Sequence, residues 1–221
     1  MTTPFRLEDL FPGHQKPTTL IAGYTGADQQ KVREHIDELS SLGVDPPKNI
    51  PEFYPLSPAS LTQDSRISTG PRTSGEAEPV LIRAQGRNLL TLGSDHTDRE
   101  IEARSVQESK AVCPKPLAHH AVEFDAALEQ QHWKDLKLIC SVDGVPYQDG
   151  TAALLPIFET LRIYEERFGA TDGDLVLFGG TVPLLTGTFV YGQHWEFSLE
   201  FAGQRLSLAY DVAIEPALKE L

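Results

Sequence analysis

The chain has 221 residues, is 40% hydrophobic and 23% charged, and carries a formal net charge of -13. That length and apolar content suffice for one domain with a sizeable core, while the negative charge argues against nucleic acid or an anionic membrane surface as partner. The two cysteines, Cys113 and Cys140, form no C-x-x-C pair and fit a reducing, cytoplasmic compartment; residues 1–19 lack the apolar stretch of a secretory signal, and no run approaches the roughly 18 apolar residues of a membrane span.

Residues 1–18 read as an arm whose Phe5, Leu7, Leu10 and Phe11 can dock on a single domain over 19–215. Thr19–Tyr24 has strand character. Asp28 is placed to cap a helix from about Gln29 to Ser41, closed by Gly43, with Val32, Ile36 and Leu39 as its apolar stripe. Six prolines between 45 and 73 predict extended loop with brief strands. Residues 76–95 read as two apolar runs joined by a tight hairpin at Gln85-Gly86-Arg87. Glu100–Ser109 predicts a short helix or turn, and Lys110–Leu117 is proline-constrained. A helix over Glu123–Trp133 and a strand over Leu136–Val142 follow, then an Asp143-Gly144 hairpin turn. Thr151–Phe168 predicts a helix with Pro156 in its first turns. Leu175–Phe178 has the look of a buried strand, and two alternating strands flank Ala202-Gly203. Strands dominate, with three or so helices, so the class is mixed α+β.

The chemistry concentrates in a few places. Glu76 and Glu78, two apart at the head of a strand, present both carboxylates to one face. Like charges that close repel unless a cation or solvent lies between them. The hairpin carries Asp95 back to the pair, which gives three oxygen donors suited to Mg²⁺ or Mn²⁺; two surface glutamates beside a turn aspartate is the plainer reading. His35 and Glu38 share one helix flank, where the carboxylate can orient the imidazole for water activation, or the histidine can simply be exposed. Within Asp95–Glu100, Arg99 can pair with a carboxylate. Lys110 and Lys115 can neutralise an anion, and Gly179-Gly180-Thr181 can turn N–H groups towards one. There is no G-x-S-x-G and no phosphate-binding G-x-x-x-x-G-K-[ST].

Taken in order, these pieces resemble the fumarylacetoacetate hydrolase superfamily, most closely a branch catalogued as a domain of unknown function. The likeness runs from residue 75 to about 212. It rests on Glu76-Ala77-Glu78, on Asp95 with Arg99-Glu100, on Lys110 before Cys113-Pro114, on Asp143-Gly144 with Gln148, Gly150 and Thr151, and on Gly173-Asp174 leading to Gly179-Gly180-Thr181. The resemblance implies a mixed β-roll of the fumarylacetoacetate hydrolase C-terminal-domain type with a few flanking helices, usually a homodimer. It implies Mg²⁺ or Mn²⁺ on Glu76, Glu78 and Asp95, His35 with Glu38 as a water-activating dyad, and Lys110 as a further catalytic residue that holds anionic oxygens. Arg99, Gln148, Gly180 and Thr181 then fall at substrate-binding positions. The implied substrate is a small anionic 2-oxo or 1,3-dicarbonyl acid, cleaved at a C–C bond through a metal-stabilised enolate. A decarboxylase, lyase or tautomerase on the same enolate, or a non-catalytic metal-binding relative, is the alternative.

Four departures from the family pattern stand out. Tyr24 lies eleven residues before His35 instead of shortly before it. Leu56 or Ser57 stands where the family's F-x-K-P has its lysine. The T-G-T-P bend is Gly179-Gly180-Thr181-Val182. Finally, the link from the glutamate pair to Asp95 is short, which leaves room only for a hairpin.

Overall fold

The computed structural model describes residues 1–13, 16–41, 46–151, 153–171 and 173–215, the side chains of 35 and 38–41 excepted. The chain opens on strand β1 (Thr2–Pro4) and one helical turn, α1 (Leu7–Leu10). Strand β2 (Thr18–Gly23) leads into α2 (Gln29–Ser41), whose start is fixed by Asp28: its Oδ1 accepts from the N–H groups of Gln30 and Lys31. The proline-rich segment forms short strands, β3 (Glu52–Leu56), β4 (Leu61–Thr62), β5 (Arg66–Thr69) and β6 (Thr73–Ser74). The hairpin follows as β7 (Ala77–Ala84) and β8 (Arg87–Ser94), then β9 (Thr97–Asp98).

The short helix or turn expected over Glu100–Ser109 is two helices, α3 (Arg99–Glu102) and α4 (Val106–Ala111), each with its own side-chain cap from Asp98 and Ser105. Beyond them lies an element the sequence did not disclose, strand β10 (Lys115–Glu123). Its lysine, two histidines and proline blur the period-2 pattern, yet it sits inside the central sheet. Glu123 ends it, so the next helix, α5, is confined to Ala126–His132. Strands β11 (Lys137–Val142) and β12 (Val145–Thr151) form the second hairpin. The helix expected from Thr151 begins only at α6 (Ile157–Phe168), because Thr151 still pairs in β12 and Leu154 bridges to Gly26. Strands β13 (Leu175–Phe178), β14 (His194–Phe201) and β15 (Gln204–Ile214) complete the chain.

Two sheets carry the fold. The larger has the order β1-β10-β8-β7-β13-β2-β3, with β4 added beside β10; the smaller has the order β12-β11-β14-β15-β5. Most neighbours are antiparallel, but β13 runs parallel to β2, β4 to β10 and β5 to β15. The class is therefore α+β with mixed sheets, as expected from the sequence.

The larger sheet is buried on both faces, and the alternation of each strand divides its residues between two cores. Leu20, Leu81, Leu90 and Leu177 point to the smaller sheet, where they meet Leu138, Phe197, Leu199 and Leu208. Ile21, Val80, Ile82, Leu89, Val176 and Phe178 point the other way, and Phe5, Leu7, Leu10 and Phe11 cover them. Each fully buried side chain of this size contributes roughly 1.5–3 kcal/mol. The mouth of the β7–β8 hairpin, away from its turn, is thereby held between two packed layers.

Candidate active site

Gln85 and Gly86 take φ values of 53° and 73°, the left-handed pair that a two-residue hairpin turn requires. That turn sets the register: Ala77 pairs with Ser94 and Glu78 with Gly93. At the open end the Asp95 N–H donates to the Glu76 carbonyl at 3.0 Å. The hairpin thus brings the aspartate beside the glutamate pair. Glu78 and Asp95 are buried, and the Glu76 side chain keeps 16% of its surface.

The backbone of this acidic strand is clamped from one side. The Gln148 amide oxygen accepts from the Ala77 N–H at 2.9 Å, and its nitrogen donates to Thr181 Oγ1 and to the Val182 carbonyl, both at 2.8 Å. Thr181 in turn donates to the Ala77 carbonyl at 2.7 Å. Gln148 is fully buried and both ends of its amide are used on the chain itself. Its place is therefore in the scaffold that holds Glu76 and Glu78, not at a substrate-facing position. The bend it anchors also reaches the acidic group directly, since Gly180 donates its N–H to Glu78 Oε2 at 2.9 Å. Gly180 has φ +96°, and a Cβ there would lie 2.0 Å from Thr25 Oγ1. Only glycine allows this approach.

Positive charge surrounds the carboxylates. Lys110 donates to Asp95 Oδ2, and the Lys115 ammonium lies 3.2 Å from Oδ1 while donating to the His96 carbonyl. Arg99 lies 3.2 Å from Glu76, off-axis for a hydrogen bond, and holds Glu102 at 2.9 Å. The Phe189 ring, 4.0 Å from its guanidinium carbon, covers Arg99 from outside. Burial opposes charge on Asp95, yet Lys110, Lys115 and Arg99 together hold its carboxyl below the usual range. Burial opposes charge on Lys110 as well, but Asp95, Glu76 and Glu78 hold its pKa above the ordinary value. Glu78 goes the other way: burial and neighbouring Asp95 raise it, only partly offset by Lys110 and the Gly180 N–H.

Of the residues singled out in sequence, Glu76, Glu78, Asp95, Arg99, Lys110, Gly180 and Thr181 come together here. His35 and Glu38 fall on α2, but their side chains lie outside the described residues. Three further groups join the site, two of them tyrosines that the sequence did not assign to it. Lys115 was one of two candidate lysines and is the deeper of them. Tyr54, on β3, puts its ring 5.7 Å from the Lys110 ammonium. Tyr24 follows β2 with φ 59°, an unusual conformation for tyrosine. Burial raises the pKa of both phenols, and Lys110 acts on each. The sequence signal for Tyr54 was aromatic content in a proline-rich stretch, and Tyr24 stood out only as a tyrosine spaced too far from His35 for the family pattern.

The donor set has the right chemistry for a hard divalent cation: three carboxylates, one of them, Glu78, with no ion pair within 4 Å among the described residues. It is not, however, gathered into a cage. Among the described residues no three carboxylate, histidine or cysteine groups stand as a ready metal site. A cavity of about 300 Å³ lies elsewhere, between Thr73, Asp143, Tyr191 and Ile214, and includes none of the three. Of the three carboxylates, Asp95 is the one occupied by ammonium groups, those of Lys110 and Lys115.

Comparison with known proteins agrees with this architecture. The profile of a family described as a protein of unknown function, DUF2848, matches residues 22–210. No curated protein matches the sequence significantly. Among solved structures, 2-keto-3-deoxy-D-arabinonate dehydratase complexed with magnesium and 2,5-dioxopentanoate superposes with TM-score 0.57 at 14% identity, covering 96% of this chain and 82% of that one. A protein assigned to the fumarylacetoacetate hydrolase family from Yersinia pestis CO92 gives 0.60 at 17%, covering 89% and 93%. Maleylpyruvate hydrolase from Sphingobium sp. SYK-6 gives 0.57 at 13%, covering 90% and 72%. The fold is the one these proteins share.

Proposed function

The chain belongs to the DUF2848 family of proteins of unknown function, and from that premise we propose that it is a divalent-metal-dependent enzyme cleaving a C–C bond in a small anionic 2-oxo or 1,3-dicarbonyl acid. The observation that carries this reading is the meeting of Glu76, Glu78 and Asp95 at the open end of one hairpin, with the Lys110 ammonium and the Gly180 bend beside them. Glu76, Glu78 and Asp95 would hold Mg²⁺ or Mn²⁺, which when bound supplies Lewis acidity for the enolate that bond cleavage leaves. Support for the metal comes from the dehydratase of similar fold, whose structure holds magnesium and 2,5-dioxopentanoate.

The chain's own residues have separate tasks. Lys110 neutralises an anionic oxygen of the substrate, and the half-buried Tyr24 and buried Tyr54 line its approach. The Gly180 N–H keeps Glu78 aimed, and Gln148 with Thr181 keeps the acidic strand from shifting. Arg99 fixes the Glu76 carboxylate from outside. His35, oriented by Glu38, takes the proton from an attacking water. The proposed setting is a cytoplasmic homodimer. The former is supported by two buried free cysteines and the latter by the family resemblance alone.

A metal-supplemented screen of acylpyruvates, oxaloacetate and related diketo acids, followed by loss of enol absorbance, tests the reading. Turnover should depend on Mg²⁺ or Mn²⁺ and fall about 100-fold or more in Glu78→Ala. Absence of both turnover and metal binding in the wild type would sink it. A lyase or decarboxylase is the second reading, favoured by the dehydratase of similar fold. His35→Ala separates them: it abolishes hydrolysis but spares a reaction that needs no attacking water.

A further inference from the structure

Asp95 is held by two lysines in different situations. Lys115 opens β10, is fully buried, and is fixed at two points by Asp95 Oδ1 and the His96 carbonyl. Lys110 sits in the last turn of α4 and reaches Asp95 by its other oxygen, Oδ2. The charges of Glu76 and Glu78 act on its ammonium from beyond ion-pair distance, and the Tyr54 ring lies 5.7 Å from it. Glu78, which has no ion pair of its own among the described residues, is the carboxylate it leaves least satisfied. Lys110 therefore stands on Asp95 alone, at the edge of a group of three carboxylates suited to a divalent cation.

We propose that Lys110 is an internal counter-cation which a divalent metal displaces from Asp95, while Lys115 remains as the fixed partner of that carboxylate. The inference rests on the metal-dependent reading above. Asp95 has two oxygens; Lys115 stays on one, and exchange at the other swaps a single positive charge for a double one. The site then gains the charge that Glu78 lacks. The freed ammonium, carried on a flexible four-carbon stem, turns towards Tyr54 and Tyr24, where it becomes available to a substrate carboxylate. Metal binding thus switches on the anion site, and the two ligands bind in order, cation first. Coupling of this kind is reciprocal, so an anion that draws Lys110 away also tightens the cation.

Direct titration with Mn²⁺ alone, by calorimetry and electron paramagnetic resonance, tests the exchange. Lys110→Met should bind Mn²⁺ about tenfold tighter than wild type, because the competing ammonium is gone. Lys115→Met, which removes an ammonium from the Asp95 oxygen that is not exchanged, should gain clearly less than Lys110→Met. A second measurement uses the wild-type protein only: amine-reactive labelling read by mass spectrometry. With Mn²⁺ present, modification of Lys110 should rise several-fold while Lys115 stays protected. If the wild type binds Mn²⁺ and Lys110→Met binds it equally or less well, with labelling unchanged, the exchange is overturned and the metal-dependent reading stands. If neither the wild type nor Lys110→Met binds Mn²⁺, both fall together.

Discussion

Asp95 and His96 are adjacent, fully buried, and governed by opposite charge rules. Asp95 has two ammonium partners and stays ionised. His96 lies beside Lys115 and Arg99, and burial together with these cations depresses its pKa to about 3. Its ring is hydrogen-bonded to Tyr210 through Nδ1 at 2.9 Å and to Thr73 through Nε2 at 2.8 Å. An unfolded histidine takes up a proton below its ordinary value of 6.5, whereas native His96 does so only near 3. Acidification therefore favours the unfolded chain across that window, and the stability from this group is complete only above pH 6.5. At pH 5 the loss is on the order of 2 kcal/mol, from about 1.5 pH units at roughly 1.36 kcal/mol each. Glu78, raised in the native state, contributes a slope of the opposite sign above its ordinary value of 4.5. Urea unfolding of wild type and His96→Asn at pH 7 and pH 5 isolates the histidine. The variant should lose about 2 kcal/mol less between the two, and equal losses would show that His96 does not carry the effect.

The hairpin and the Gln148 clamp act as one unit. Gln148→Leu keeps the volume but leaves the Ala77 N–H without its acceptor, a buried orphan worth about 1–3 kcal/mol. Urea unfolding should show that loss. On the metal-dependent reading proposed above, Mn²⁺ affinity should drop with it, because Glu76 and Glu78 flank the freed residue. This element was also the most legible part of the sequence. Its two apolar runs, its turn at Gln85-Gly86 and its acidic ends all report local geometry. The Asp28-capped helix and the Asp143-Gly144 turn were equally plain, for the same reason. Strand β10 was not legible, because its order comes from β8, β1 and β4 pairing with it, not from its own pattern. Gln148 could be placed near the site but not given its task. Whether an amide faces a substrate or a backbone depends on Thr181 and Val182, distant in sequence. The identity of Asp95's partners was open for a like reason: Lys110 was the expected lysine, while Lys115, between Cys113-Pro114 and Pro116, gave no sign of burial.

At the scale of the whole molecule, the N-terminal segment is part of the packing. Strand β1 covers the outer edge of β10, and Leu10 is buried against the second core with Phe5, Leu7 and Phe11 around it. Removing residues 1–11 should lower the thermal midpoint by about 5–10 °C, from the apolar area uncovered. An increase in binding of a hydrophobic dye should accompany the shift, and an unchanged midpoint would mean that the segment rests on the surface without stabilising it. Among the described residues no helix is long and apolar enough to cross a membrane. The parallel pairing of β2 with β13, Thr18 opposite Leu175, bears on the order in which the molecule is built. A ribosome releases β2 early, but its central-sheet neighbour emerges only after most of the chain. Closing so long a loop has a large entropic cost before any contact repays it. The Gly179–Thr181 bend follows β13 immediately, so its grip on Glu78 waits for that same closure. The acidic hairpin depends on the same closure, because β13 pairs with β7 and Gln148 and Thr181 clamp Ala77, so its carboxylates take their final places only late in synthesis.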